Sequence, residues 1–175
     1  MRRIYKLVVS GVFNAGKTTF VNTLSDIPTI NTDIHTSTPY ETGTKASTTV
    51  ALDYGQITLP NDIRVNLFGT PGQTRFDFMR EILAVGADGL IFLVDAADTN
   101  KLSEATQVLT QFMQSAQIPY VIVANKADIA TLSTEEIRAQ LNLSASTLIV
   151  PCVATDRESI QSVVEQMVAL INVGL

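Results

Sequence analysis

The run Gly11-Val12-Phe13-Asn14-Ala15-Gly16-Lys17-Thr18 fits the spacing G-x-x-x-x-G-K-[ST]. Such a run suits a phosphate chain. Glycine lets the backbone close around phosphate oxygens. Successive N–H groups, here those of Asn14, Ala15 and Gly16, then point at the anion together with the N-terminus of the next helix. Lys17 would reach the β- and γ-phosphates, the Thr18 hydroxyl would ligate Mg²⁺, and Thr19 would contact the α-phosphate.

A second group, Asn125-Lys126-Ala127-Asp128, addresses the other end of a nucleotide. An ionised carboxylate only accepts hydrogen bonds. Guanine presents two adjacent donors, the ring N1–H and the 2-amino group. Adenine presents an acceptor at N1 and has no 2-amino group. Asp128 would therefore pair with guanine and be left unmatched against adenine. The aliphatic stem of Lys126 would lie on the base face, and Asn125 would tie this loop to the phosphate loop. Alone, the four residues also fit an ordinary turn with a helix cap. Two β-α units beyond a phosphate loop, they point to a base pocket.

A third group, Phe68-Gly69-Thr70-Pro71-Gly72-Gln73, closes a strand candidate. Gly72 would offer a backbone N–H to a γ-phosphate, and Gln73 would orient an attacking water. Upstream, Thr48 or Thr49 would give Mg²⁺ a hydroxyl and the γ-phosphate an N–H. Thr49 is favoured because Val50-Ala51-Leu52-Asp53-Tyr54 leads from it into a strand. A Pro-Gly turn and a strand threonine each also have a plain structural explanation.

The elements that must position these groups are written in the hydrophobic pattern. Residues 4–10 read as a strand and 16–25 as a helix. A polar, threonine-rich stretch from Asp26 to about Ala46 shows no usable periodicity and reads as a long functional loop. Period two then takes over in Val50, Leu52 and Tyr54 and in Ile63, Val65 and Leu67. The turn Leu59-Pro60-Asn61-Asp62 between them predicts an antiparallel hairpin. Continuous apolar runs at 90–95, 120–125 and 147–152 predict strands covered on both faces. Helical spacing predicts helices over 76–86, 101–115, 134–140 and 157–172, with capping boxes at Ser133–Glu136 and Thr155–Glu158. The expectation is one α/β domain over residues 1–175. Its sheet would be doubly wound, six-stranded and mostly parallel, with one antiparallel edge hairpin and helices on both faces. In such sheets ligands bind at the carboxyl ends of the strands, where all three groups fall.

Composition narrows the function further. There are 12 Lys+Arg against 17 Asp+Glu, a net charge of −5, which disfavours a nucleic-acid partner and supplies no polybasic membrane tag. A single cysteine, Cys152, excludes an intrachain disulfide, and a single histidine, His35, excludes a multi-histidine metal site. With no signal peptide, spanning segment, myristoylation glycine or prenylatable cysteine in the sequence, a cytoplasmic protein without an intrinsic membrane anchor is expected.

Taken in order, the phosphate loop, the threonine before the second strand, the P-G-Q segment and N-K-A-D resemble the Ras-like small GTPases, P-loop NTPases, over almost the whole chain. The T-P-G-Q segment is similar to a prokaryotic branch whose members often associate with Roadblock-fold partners. The phosphate loop is closer to the Arf type, although only three residues precede the first strand where Arf proteins have an amphipathic helix. The resemblance implies a switch that binds GTP or GDP with Mg²⁺, slowly hydrolyses GTP, and changes two loops, about 26–49 and 70–78, read by regulatory and effector proteins. It also implies that Val153 and Ala154, in Pro151-Cys152-Val153-Ala154-Thr155, belong to the last guanine-contacting loop, with the Ala154 N–H aimed at the base oxygen.

Three departures stand against the pattern. Gly69 occupies the place of the aspartate in D-x-x-G, which holds Mg²⁺ through a water. Asp53 is near in sequence but lies on the opposite strand of the hairpin, and is not nominated as its replacement. Phe13 stands where Ras proteins have a small glycine, and Val153-Ala154-Thr155 is a degenerate form of S-A-K. Lys45 and Arg75 flank the site as cations that could act in cis, or as solvated surface residues. Two alternatives follow: a nucleotide-loaded scaffold that barely turns over, and a P-loop ATPase or kinase, which Asp128 disfavours.

Overall fold

β5 (Gly89–Asp95) shows how the sequence builds the sheet: all seven of its residues are buried, as a strand roofed on both faces requires. The computed structural model describes residues 4–37, 47–71 and 77–174, with the backbone alone at 31–37, 47–51 and 77–80. Over these residues the strands are β1 (Ile4–Gly11), β2 (Ile30–Ser37), β3 (Ser47–Leu59), β4 (Ile63–Gly69), β5, β6 (Tyr120–Asn125) and β7 (Ile149–Cys152). They form one sheet in the order β2-β3-β4-β1-β5-β6-β7. β4, β1, β5, β6 and β7 run parallel, β3 is antiparallel to β4, and β2 is antiparallel to β3.

This is the expected doubly wound, mostly parallel fold with one addition. Seven strands are present among the described residues, not six, because β2 arises inside the stretch read as a loop. Asn31, Thr32, Asp33, His35 and Thr36 carry no apolar alternation, and the strand is defined by its backbone ladder to β3, from Ile30↔Tyr54 to Ser37↔Ser47. The expected hairpin is β3–β4, and it is displaced from the edge by β2. Its turn is tight: Pro60 opens it, and Asn61 and Asp62 both take left-handed φ values, 63° and 59°.

The helices are α1 (Lys17–Leu24), α2 (Asp77–Ala84), α3 (Leu102–Ser115), α4 (Thr134–Gln140) and α5 (Arg157–Val173). α1 packs against α5, while α2 packs against α3 and α3 against α4, so the two groups cover the two faces. On α5, Ile160, Val163, Val164, Met167, Val168 and Ile171 form the buried stripe. Burial of each such side chain is worth about 1.5–3 kcal/mol against leaving it exposed. The capping box at Ser133 is present: its hydroxyl accepts from the Glu136 N–H while the Glu136 carboxylate accepts from the Ser133 N–H. The box expected at Thr155–Glu158 is not what caps α5. Asp156 is the N-cap, its carboxylate accepting from the Glu158 N–H at 3.1 Å. Among the described residues, no helix is long and apolar enough to cross a membrane.

Candidate functional site

Because the five parallel strands share a direction, the segments leaving β1, β4, β5, β6 and β7 gather along one edge of the sheet. Residues 12–16 form the turn between β1 and α1. The Ala15 N–H donates to the Val12 carbonyl, Asn14 takes φ 64° and Gly16 φ 101°. Gly16 is the N-cap of α1 and makes no side-chain cap bond, so the helix N-terminus meets the turn with no capping side chain over it. That is the arrangement an anion needs. Lys17 is buried, its ammonium donating across the loop to the Val12 carbonyl at 2.6 Å. Thr18 and Thr19 are exposed at the start of the helix.

The Asn125 end is closely stitched. Asn125, 2% exposed at the end of β6, donates its amide to the Ala15 carbonyl at 2.9 Å and accepts the Ala154 N–H at 2.9 Å. One side chain thus joins the loops after β1, β6 and β7. The fit explains Gly16: a Cβ there would lie 2.2 Å from Asn125 Nδ2, on top of a left-handed φ. The Ala154 N–H, expected to face a base oxygen, is instead spent on Asn125, because the loop after β7 returns against the β6 end. The Val153 N–H is likewise taken, by the Ser159 hydroxyl at 3.0 Å.

Lys126 takes φ 61°, and its ammonium pairs with Asp95, the buried carboxylate at the end of β5. Its stem therefore spans the mouth between two strand ends, with Asp128 exposed beyond it in a single 3₁₀ turn, Ala127–Ile129. Asp95 is a site residue that sequence reasoning missed. Its signal was a carboxylate closing an otherwise apolar strand.

The Thr18 end is looser. The Thr18 hydroxyl donates to Asp53 Oδ2 at 2.6 Å. Asp53 is paired across the hairpin with Gly69, so the expectation that the opposite strand puts it out of play is corrected: antiparallel pairing sets the two residues side by side. Thr49 is not brought to this place. It lies four residues before Asp53 in β3, paired with His35, about 14 Å along the strand at ~3.4 Å per residue. Gly72, Gln73, Lys45 and Arg75 lie outside the described residues. Phe13 projects from the phosphate loop 61% exposed, with the Lys101 ammonium on its carbonyl at 3.1 Å and 5.9 Å from its ring centroid. Lys101 was not foreseen, since it starts a helix far along the chain.

Cys152 sits buried at the end of β7. Burial pushes its thiol up, the Ser159 hydroxyl opposing and the Asp156 charge adding to the shift. At neutral pH it stays protonated and inert. Among the described residues no group of three or more His, Cys, Asp or Glu side chains gathers as a metal cluster.

Comparison with known proteins agrees with this layout. The pattern of the ADP-ribosylation factor family matches residues 1–171. An uncharacterised protein of Methanocaldococcus jannaschii is 33% identical over 133 residues, covering 75% of this chain and 76% of that one. ADP-ribosylation factor-like protein 3 of Caenorhabditis elegans is 30% identical over 145 residues, 81% of this chain and 71% of its own. ADP-ribosylation factor-like protein 8d of Arabidopsis thaliana is 29% identical over 146 residues, with 81% and 75% covered.

Proposed function

The chain belongs to the ADP-ribosylation factor family of Ras-like small GTPases, and on that premise we propose that it is a guanine-nucleotide switch that hydrolyses GTP slowly. The observation that carries this reading is the Asn125 side chain, which locks the phosphate loop, the N-K-A-D turn and the loop after β7 into one cleft.

In that cleft the phosphate chain lies against the turn before α1 and the N-terminus of that helix, with Lys17 across it. Asp128 accepts from the two guanine donors while Lys126, held by Asp95, lays its stem along the base. Thr18 and Asp53 present two oxygens on one spot, a donor set that suits a hard divalent cation. Mg²⁺, when bound, would neutralise charge on the β- and γ-phosphates. Thr49 joins that spot only if the ladder between β2 and β3 opens, so the pairing of residues 30–37 with 47–54 competes with the triphosphate-bound arrangement. Gln73 orients the attacking water, at rates on the order of 10⁻⁴ to 10⁻² s⁻¹ without a helper protein. The loops about 26–49 and 70–78 then report the nucleotide state to partner proteins.

The test is a titration of the purified protein with fluorescent GDP and ADP. GDP should bind at least about a hundredfold more tightly, since ADP leaves Asp128 unmatched. Equal affinities would overturn the assignment. A second reading, a nucleotide-loaded scaffold, is favoured by Gly69 in place of the aspartate and by Phe13 and Lys101 crowding the loop. Single-turnover phosphate release separates the two: no release over many hours selects the scaffold.

A further inference from the structure

We propose that Asp53 is the carboxylate of the Mg²⁺ site, supplied from β3 in place of the side chain that Gly69 lacks on β4. The inference deepens the nucleotide reading and rests on it. Three observations converge. The first is register: β3 and β4 pair so that Asp53 stands directly opposite Gly69. The second is space. A Cβ built on Gly69 would lie 3.0 Å from the Asp53 Cβ and 3.3 Å from Asp53 Oδ2. Directly opposite residues of an antiparallel pair put their side chains on the same face. The Asp53 carboxylate therefore fills the volume that a side chain at position 69 would enter. The third is aim: the same Oδ2 accepts the Thr18 hydroxyl at 2.6 Å, so the carboxylate faces the second residue of α1, beside the phosphate loop.

The chemistry fits. Mg²⁺ takes oxygen ligands, dehydrates reluctantly, and in nucleotide sites uses one or two protein groups plus phosphates and waters. A threonine hydroxyl with a carboxylate beside it is the pair that P-loop proteins use. The Thr18 hydroxyl donates its hydrogen bond to Asp53, which leaves its oxygen lone pairs free to face a cation. Two other carboxylates are engaged elsewhere: Asp95 pairs with Lys126, and Asp26 pairs with Arg157. Gly69 follows from the same arrangement. Any larger residue there would press on the Asp53 Cβ, so a relocated carboxylate and a bare position opposite it belong together.

The experiment measures release of fluorescent GDP in EDTA and across a series of free Mg²⁺ concentrations. The EDTA rate serves as each variant's own reference, and thermal melts check that each variant folds. For the natural sequence, Mg²⁺ should slow release at least about tenfold, the size expected of a charged hydrogen-bonding partner. Asp53→Asn, which keeps the shape and drops the charge, should lose most of that slowing and need much more Mg²⁺ for what remains. Asp53→Gly with Gly69→Asp moves the carboxylate across the strand pair without doubling the crowding, and should restore the slowing. An unchanged Mg²⁺ response in Asp53→Asn would overturn the proposal and leave the nucleotide reading standing. So would tight GDP binding with no Mg²⁺ response in the natural sequence. Absence of any GDP binding would overturn both.

Discussion

The Asn125 end and the Thr18 end of the cleft are held by different kinds of contact. At the first, a buried amide makes hydrogen bonds to two loops, and a glycine is required because the amide comes so close. At the second, the contact is a hydroxyl on a carboxylate whose strand, β3, continues outward to an edge strand without an apolar pattern. Local loops that interlock leave little freedom for a residue to change places. Paired strands set two positions side by side, so a side chain can be supplied from either one. The first end therefore keeps the asparagine and glycine that interlock, while its S-A-K segment is degenerate, and the second has a glycine where an aspartate is usual.

The sharpest way to break this contrast is Gly16→Ala. A methyl group there meets Asn125 Nδ2 at 2.2 Å and forces a left-handed φ on alanine. The amide must leave, which abandons the bonds to Ala15 and Ala154 inside the protein. Backbone strain of about 1–3 kcal/mol and unsatisfied polar groups at about 1–3 kcal/mol each make this the largest expected effect. Nucleotide binding should vanish in titration, and the melting temperature should fall by many degrees. A variant that melts and binds like the natural protein would show that the stitching is dispensable.

Asp128→Ala tests the same end at its surface. Asp128 is exposed, and among the described residues its carboxylate makes no hydrogen bond or ion pair, so its loss should leave the melting temperature of the nucleotide-free protein nearly unchanged. Affinity for GDP should fall by roughly 2–4 kcal/mol, or about 30- to 1000-fold, as guanine loses its charged acceptor. The affinity for ADP should move little or rise. Measured with the Asp53 variants, this would separate base recognition from metal dependence: one substitution changes which purine binds, the other how Mg²⁺ slows its release.

The sequence was most legible where a motif is contiguous and a period is forced by burial. Tyr120–Asn125 is found at the predicted bounds, as is the helix over 134–140, because one is apolar up to its closing Asn125 and the other opens on a capping box. β2 was illegible because hydrophobic alternation reports burial, whereas Asn31, Asp33 and His35 are ordered by backbone pairing. Asp53 was missed for a different reason. Its partner lies sixteen residues away, and only the position of the turn sets them opposite each other. Once Pro60–Asp62 is taken as the turn, counting outward along both strands from Leu59↔Ile63 brings Asp53 to Gly69. Register was the quantity to compute, and residue spacing along the chain was a poor substitute for it. Asp95 and Lys101 belong to the same class: their roles depend on neighbours that the fold alone supplies.

The smallest expected effect comes from the helix that follows the N-K-A-D turn. Thr131 and Leu132 both donate to the Ala96 carbonyl, which ties the start of this segment to the end of β5, and the Ser133–Glu136 capping box then opens α4. Ser133→Ala removes the cap and should lower stability at neutral pH by about 0.5–2 kcal/mol in denaturant unfolding. GDP selectivity and the Mg²⁺ response should stay as they are, because the box touches neither end of the cleft. The loss should also depend on pH. Hydrogen bonds from the Ser133 backbone and then its side chain lower the Glu136 carboxyl below its ordinary value. A carboxyl lowered by folding stabilises the folded state above its unfolded value, and that contribution fades as pH falls through the folded one. The gap between the natural protein and Ser133→Ala should therefore be widest near neutrality and narrow on acidification below the ordinary carboxylate range. A gap that stays constant from neutral to acidic pH would mean that the Ser133 hydroxyl does not hold the Glu136 carboxylate in solution.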